Sequence, residues 1–152
     1  MNKPIKRDKA LQPLSREHHH SLLLCWKIRT GLNKGVELKR IKRYTDWFFV
    51  HHIQPHFQAE EDFLFGILGM DHQLVKKALS QHRRLYRLFG NSEEIEKSLS
   101  LIEEELEQHI RFEERVLFNE IQQVATKEQL EIFNQHHSEA GFQENTDDEF
   151  WK

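Results

Sequence analysis

Apolar residues recur at three- and four-residue intervals along most of this chain, the period of an amphipathic helix, and no alternating strand pattern competes. Pro13 and Ser15 open a first predicted helix that runs to about Leu32, with Leu14, His18, Leu24, Cys25, Ile28 and Leu32 near one face. Gly31 to Gly35 is its stop signal. A second helix is predicted from about Glu37 to Phe65, with Ile41, Tyr44, Phe48, Ile53, Phe57 and Leu64 facing the core. Pro55 lies inside it and should remove a hydrogen bond and bend it; Gly66 and Gly69 end it. The third runs from an N-cap at Asp71 to Phe89. After the turn Gly90-Asn91-Ser92, with Ser92 as N-cap, the fourth continues through Val124. Thr126 and Gln129 form a capping box for a short fifth helix ending near His136.

Helices of roughly 20 to 30 residues joined by short turns make antiparallel neighbours. The expected fold is therefore all-α, an up-down antiparallel four-helix bundle with a short fifth C-terminal helix. It spans residues 14–138 and is flanked by a flexible N-terminal segment, 1–13, and a loose polar tail, 139–152.

Composition narrows the function without naming it. The chain has 152 residues, enough for one real core, and at 38% hydrophobic and 31% charged it reads as soluble and globular. A net charge of −3 gives no electrostatic case for nucleic acid or an anionic membrane. The basic start MNKPIKRDKALQP has no apolar core of a signal peptide, and no apolar run is long enough to span a bilayer. Cys25 is the one cysteine, which excludes an intramolecular disulfide and fits a reducing, cytoplasmic setting. It is expected to behave as a small buried hydrophobe rather than a redox thiol. The outlier is histidine, present eleven times.

Two segments repeat. Residues 56–65 read HFQAEEDFLF and residues 109–118 read HIRFEERVLF, both His-x3-Glu-Glu-x2-Leu-Phe. His56 and Glu60, like His109 and Glu113, are one helical turn apart on one face, beside the apolar stripe that carries Leu64/Phe65 and Leu117/Phe118. One such pair alone would read as a solvated contact on a helix surface. Two at matching positions with the same apolar flank read as inward-facing, and a buried ionised glutamate is costly unless it is paired or coordinates a metal. His82, among Ala78, Leu79, Leu85, Tyr86 and Phe89, lies on the buried face of the third helix, and His18 lies in the stripe of the first. The chain then reads His, His-x3-Glu, His, His-x3-Glu, one element per helix. Four histidines and two carboxylates in a bundle core suit a pair of first-row transition metals, with the glutamates able to bridge.

LSREHHHSLLL, HFQAEEDFLF, LSQHRRLYRL and HIRFEERVLF together resemble the four ligand segments of the hemerythrin-like (HHE cation-binding) domains, over roughly residues 14 to 138. The resemblance implies a bundle around a non-haem di-iron centre, two Fe ions bridged by carboxylates and an oxo or hydroxo group. It assigns His18, His56, Glu60, His82, His109 and Glu113 as metal ligands, and a diatomic molecule or peroxide as the partner. The oxygen-carrying hemerythrins have two histidines one turn apart on the third helix. Here Ala78 stands one turn before His82 and Tyr86 one turn after, which implies four histidines and an open coordination position. An open position favours reactivity over stable oxygen carriage. Bacterial relatives of that kind are linked to iron–sulfur repair, nitrosative stress and iron sensing. They often carry a cysteine-containing N-terminal segment, which is not found in this sequence.

Several choices stay open on sequence. His18 is favoured over His19 and His20 because positions six, seven, ten and fourteen after it are Leu24, Cys25, Ile28 and Leu32, and His20 is expected to face solvent. Glu61 and Glu114 rival Glu60 and Glu113. His52 and Glu105, each a turn before a motif histidine, are candidate outer partners of the ligands. His72 is too far from His82 to share its site and reads as surface; His51, His136 and His137 have no partner at metal spacing. Tyr86 is expected in the core with its hydroxyl hydrogen-bonded. Fe, Mn or Zn all suit these donors. The leading reading is a di-iron protein binding or reacting with O2, NO or peroxide; the alternative is a metal-sensing module that acts through a protein partner, and a histidine-rich bundle without metal, whose six buried ionisable groups would have to satisfy one another, is the least favoured.

Overall fold

The computed structural model describes residues 6–137 and 141–152; residues 1–5 of the expected N-terminal segment and 138–140 around the start of the expected tail lie outside that description. Every regular element among the described residues is helical. The first helix, α1, is Gln12–Asn33. Next come α2 (Leu38–Phe48), a π-helical turn π1 (Phe49–Ile53), α3 (Gln54–Ala59), a second π turn π2 (Glu60–Leu64) and a 3₁₀ turn (Phe65–Ile67). These five follow one another without a break and correspond to the single second helix read from the sequence. Then follow α4 (Gln73–Gly90), α5 (Ile95–Phe112), π3 (Glu113–Leu117), α6 (Phe118–Val124) and α7 (Lys127–His136).

Local chemistry explains the departures from expectation. Pro55 has no N–H and its ring would crowd the carbonyl four residues earlier. The chain widens just before it, in π1, where the Gln54 N–H reaches the Phe49 carbonyl, so the proline falls in the first turn of α3, directly after a π turn. Gly31 does not stop α1 but lies within it. A Cβ there would sit 2.7 Å from the Phe150 ring, so glycine is needed for close approach; the helix ends at Asn33, inside the predicted stop segment, with Gly35 following at φ +70°. The α4 N-cap is His72, whose ring accepts from the Leu74 N–H, and not Asp71. Before α5 it is Asn91 rather than Ser92 that accepts from the amides of Glu93 and Glu94. The Thr126–Gln129 capping box of α7 is present.

Two apolar clusters make the core. One gathers Leu24, Ile28, Ile41, Phe48, Ile53, Leu85, Phe89, Leu99, Ile102 and Leu106. The other gathers Leu14, Leu64, Phe65, Val75, Ala78, Leu117, Phe118, Ile121 and Phe133. Between them along each long helical run lie the histidines and glutamates of the repeats. α1 packs on α5 and on α2, α4 packs on α5, and α7 covers π2.

Described residues near both termini pack on the helices. The described part of the polar tail is docked, with Phe150 and Trp151 in the first cluster, where each meets the Tyr44 ring edge to face. Burying a side chain of that size contributes about 1.5–3 kcal/mol. Arg40 grips Asp148 at 2.7 and 2.8 Å, and Lys34 donates to the Trp151 carbonyl. At the other end Ala10 and Leu11 are buried, and Arg7 donates to Asn119, Gln122 and the Glu114 carbonyl. Among the described residues, no helix is long and apolar enough to cross a membrane.

Candidate metal centre

His18, His56, Glu60, His82, His109 and Glu113 are all buried, Glu60 and Glu113 completely, and the fold brings all six together. They form two overlapping groups. His18 and His56 share Glu60 and Glu113, and so do His82 and His109; within each group the potential ligand atoms lie within 4.8 Å of one another. Glu60 spans the two, with Oε2 3.3 Å from His56 Nε2 and Oε1 3.2 Å from His82 Nε2. Glu113 Oε1 lies 2.9 Å from His18 Nε2 and 3.3 Å from His109 Nε2, and its Oε2 faces His82. Each group could hold a metal ion, and both glutamates are placed to serve two ions at once.

Every imidazole turns Nε2 inward and Nδ1 outward to an acceptor. His56 Nδ1 meets Glu17 at 2.7 Å, His82 Nδ1 meets Glu61 at 2.7 Å, His109 Nδ1 meets Gln81 Oε1 at 2.6 Å, and His18 Nδ1 meets Glu114 at 2.7 Å. Each acceptor is the chain neighbour of an inner residue yet serves the histidine of the next helical run. A closed ring results, from α1 to α3, π2 to α4, α4 to α5 and π3 back to α1. The repeat supplies two members of each clamp. Glu61 and Phe65 both contact His82, and Glu114 and Phe118 both contact His18. Both repeats enter a π turn at the inner glutamate, where the Phe65 N–H reaches the Glu60 carbonyl and the Phe118 N–H the Glu113 carbonyl. π turns are frequent at functional sites.

An outer carboxylate or amide oxygen requires N–H at Nδ1, which leaves a lone pair on Nε2 of the neutral ring. Those lone pairs converge on carboxylate oxygens and on each other: His18 Nε2 and His56 Nε2 are 3.1 Å apart. Both oxygens of Glu60, Glu113 Oε2, His82 Nε2 and His109 Nε2 are buried with no hydrogen-bond partner. A buried orphan polar atom is costly, and a cation is what this set lacks. In the metal-free chain protons take part of that place. Burial alone pushes His82 down, but Glu113, Glu60 and Glu61 hold it up at about 10. His18 and His56 are likewise raised against burial, by Glu113 and Glu114 and by Glu60, Glu113 and Glu17. Burial would raise Glu113, yet His109, His18 and His56 hold it well below the usual carboxylate range. The six side chains thus fit a dinuclear cation on the chemistry of their donor set.

The rivals sort cleanly. His19 is exposed, and His20 is half-buried and stacked on Phe142 rather than solvent-facing. Glu61 and Glu114 point to outer nitrogens, not into the centre. His52 and Glu105 are not outer partners; His52 packs on Trp47, Phe48 and Phe142, and Glu105 holds Arg84. His137, which has no partner at metal spacing in the sequence, bonds Glu17 across the fold at 3.0 Å. Glu17 and Gln81 were missed as site residues; their signal was adjacency to His18 and His82. Ala78 is fully buried in apolar surroundings, and Tyr86 is half-buried against Phe49 and Phe57. Burial pushes the Cys25 thiol up to about 12, so it is no nucleophile. Comparison with protein-family models, curated proteins and solved structures found no match.

Proposed function

We propose that this chain is a hemerythrin-like, non-haem di-iron protein that binds or reacts with dioxygen, nitric oxide or peroxide, in stress response or iron handling. One observation carries it: two pairs of buried histidines share two buried glutamates whose inward oxygens lack hydrogen-bond partners. An up-down four-helix bundle is supported by the order of the two apolar clusters along the chain. Leu14, His18 and Leu24 run from the second cluster through the centre to the first, while Phe48, His56 and Leu64 run the other way. Val75, His82 and Leu88 again follow the first order, and Ile102, His109 and Leu117 reverse it.

Iron bound there would supply redox change and a place for a small molecule to coordinate. The chain's own residues do the rest. His18, His56, His82 and His109 hold lone pairs inward because their outer nitrogens are anchored. Phe57, stacked on His82 at 3.8 Å, with Phe65 and Phe118 keeps water from the histidine faces. Ala78, packed in the second apolar cluster, stands where the oxygen carriers have a further histidine, so that position offers no ligand, and a coordination place left to a small molecule favours reaction over reversible carriage. The test is anaerobic titration with ferrous iron, followed by separate exposure to O2 and NO. Uptake of about two irons per chain, with new charge-transfer absorption on exposure, is expected. A folded chain that takes up no iron overturns the proposal.

A metal-sensing module acting through a partner is favoured by one further observation. Arg7 holds Glu114, and His137 beside α7 holds Glu17, so both flanking segments are tied to the outer ring of the centre. Metal removal that alters oligomeric state or accessible surface, without turnover of peroxide or NO, would select this function.

A further inference from the structure

The centre is twofold in pattern: a polar residue and histidine on α1 match a polar residue and histidine on α4, and the two repeats match each other. The outer acceptors break that symmetry at one place. Glu17 and Glu114 back His56 and His18, whereas Glu61 and Gln81 back His82 and His109. One half therefore has two outer carboxylates and the other has one carboxylate and one neutral amide. A carboxylate behind an imidazole raises the basicity of the inward nitrogen more than an amide does, because it stabilises the partial positive charge left on the ring. The carboxylates of the first half are also held in place by extra donors: Ser15 Oγ reaches Glu114 at 2.8 Å and His137 reaches Glu17 at 3.0 Å. Among the described residues, no side chain gives Gln81 such support. It lines a cavity of about 210 Å³ with Arg84, Glu105 and Gln108, large enough to admit water beside its amide.

Given the metal binding proposed above, we infer that Gln81 makes the centre unequal, so that the His82/His109 position gives up its ion before the His18/His56 position. The inner glutamates are common to both positions and cancel in this comparison. What remains is the outer acceptor, and loss of such a partner costs about 10- to 100-fold in metal affinity. Gln81 is a positioning residue in this sense: it acts on the metal only through His109.

The test uses the full chain loaded with zinc, which is diamagnetic and redox-inert, with ring nitrogens followed by NMR during stepwise chelation. The His82 and His109 Nε2 signals are expected to revert to the metal-free position first, at roughly tenfold lower chelator than those of His18 and His56. The Nδ1 proton of His109 should also lie upfield of the three carboxylate-bonded ones. Gln81→Glu should bring that proton into line and abolish the order of release. Glu17→Gln provides the same equality from the other side, by weakening the first half, and keeps the experiment decisive should Gln81→Glu not fold. Release of all four signals together, release from His18 and His56 first, or an order unchanged by both substitutions overturns the inequality alone. A folded wild-type chain that binds no zinc or iron overturns the metal centre itself.

Discussion

Buried Lys27 and Tyr44 form a polar cluster with half-buried Glu144, and the histidines and glutamates around Glu60 form a second one. In the first, Lys27 Nζ donates to the Tyr44 hydroxyl at 2.9 Å and to Glu144 at 2.6 Å, Tyr44 donates to the other Glu144 oxygen, and the ammonium lies 4.1 Å over the Trp151 ring. One cation, one anion and a hydroxyl satisfy one another. In the second, five inward atoms have no hydrogen-bond partner, and the acidic side chains outnumber the obligate cations. A closed cluster is complete as protein. An open one is complete only with something added, and burial makes that incompleteness expensive.

Metal removal should therefore separate the two most sharply. A ligand that binds only the folded chain adds about 4 kcal/mol at a thousandfold excess over its dissociation constant, which for a domain of this size is roughly 8–16 °C in Tm. Chelated and iron- or zinc-loaded chains compared by calorimetry should differ by that amount. Glu113→Ala should remove the difference, because both positions lose a shared ligand. Equal melting of the chelated and loaded wild type would show that protons suffice at the centre.

Lys27→Met attacks the closed cluster. It leaves the Glu144 carboxylate and the Tyr44 hydroxyl without their shared donor, at a cost of about 1–3 kcal/mol, since Glu144 retains some contact with water. Urea denaturation should show the loss while metal stoichiometry stays unchanged. A change in stoichiometry would mean that the two clusters are coupled.

How far each cluster could be read from the sequence follows from what holds it. The burial and convergence of the inner residues were legible because helical period alone puts His56 over Glu60 and His109 over Glu113, and the duplication chose between burial and solvation. The outer ring was not, because which helix lies beside which decides that Glu61 meets His82 and Gln81 meets His109. Glu61 and Glu114 were noticed only as rival ligands, since an α-helical register cannot foresee the π turns that begin at Glu60 and Glu113. The closed cluster left no local trace at all: Lys27, Tyr44 and Glu144 are far apart in sequence, and Phe150 and Trp151 end a segment whose composition is polar. Gly31 looked like a helix stop because glycine usually breaks a helix, whereas its role is to admit the Phe150 ring.

Gly31→Ala sharpens that last point. In an exposed helix the change would stabilise by about 0.5–1 kcal/mol. At position 31 the added methyl meets Phe150 at 2.7 Å and Ile41 at 2.9 Å, an overpacking cost of about 1–3 kcal/mol that outweighs the gain. Net destabilisation and a loosened Trp151 signal in near-ultraviolet circular dichroism are expected. A stabilised variant would mean that the docked tail yields without cost.

The smallest effect expected is a pH dependence confined to the closed cluster. Burial alone would raise the Glu144 carboxyl, but Lys27 and Tyr44 outweigh it and hold the group below its ordinary 4.5. A carboxyl whose pKa is lower folded than unfolded contributes stability that is complete above its unfolded value, and that stability is lost as pH falls through the folded one. Tail docking should thus be insensitive to pH from neutrality down to about 4.5 and weaken below that. Asp148, held low by Arg40, titrates in the same direction and adds to the loss. Trp151 fluorescence anisotropy, read in the metal-free chain, should follow this acid limb. Glu144→Gln should flatten most of it, since the amide keeps a hydrogen-bonding oxygen but no longer binds a proton. His18, His56 and His82 titrate in the opposite direction: held above their ordinary 6.5 in the metal-free chain, they contribute stability that is complete below that value and is lost as pH rises through the folded one. If Glu144→Gln leaves the limb intact, the tail is held by Phe150 and Trp151 burial and Asp148 alone, and the charges around Lys27 serve only to satisfy one another.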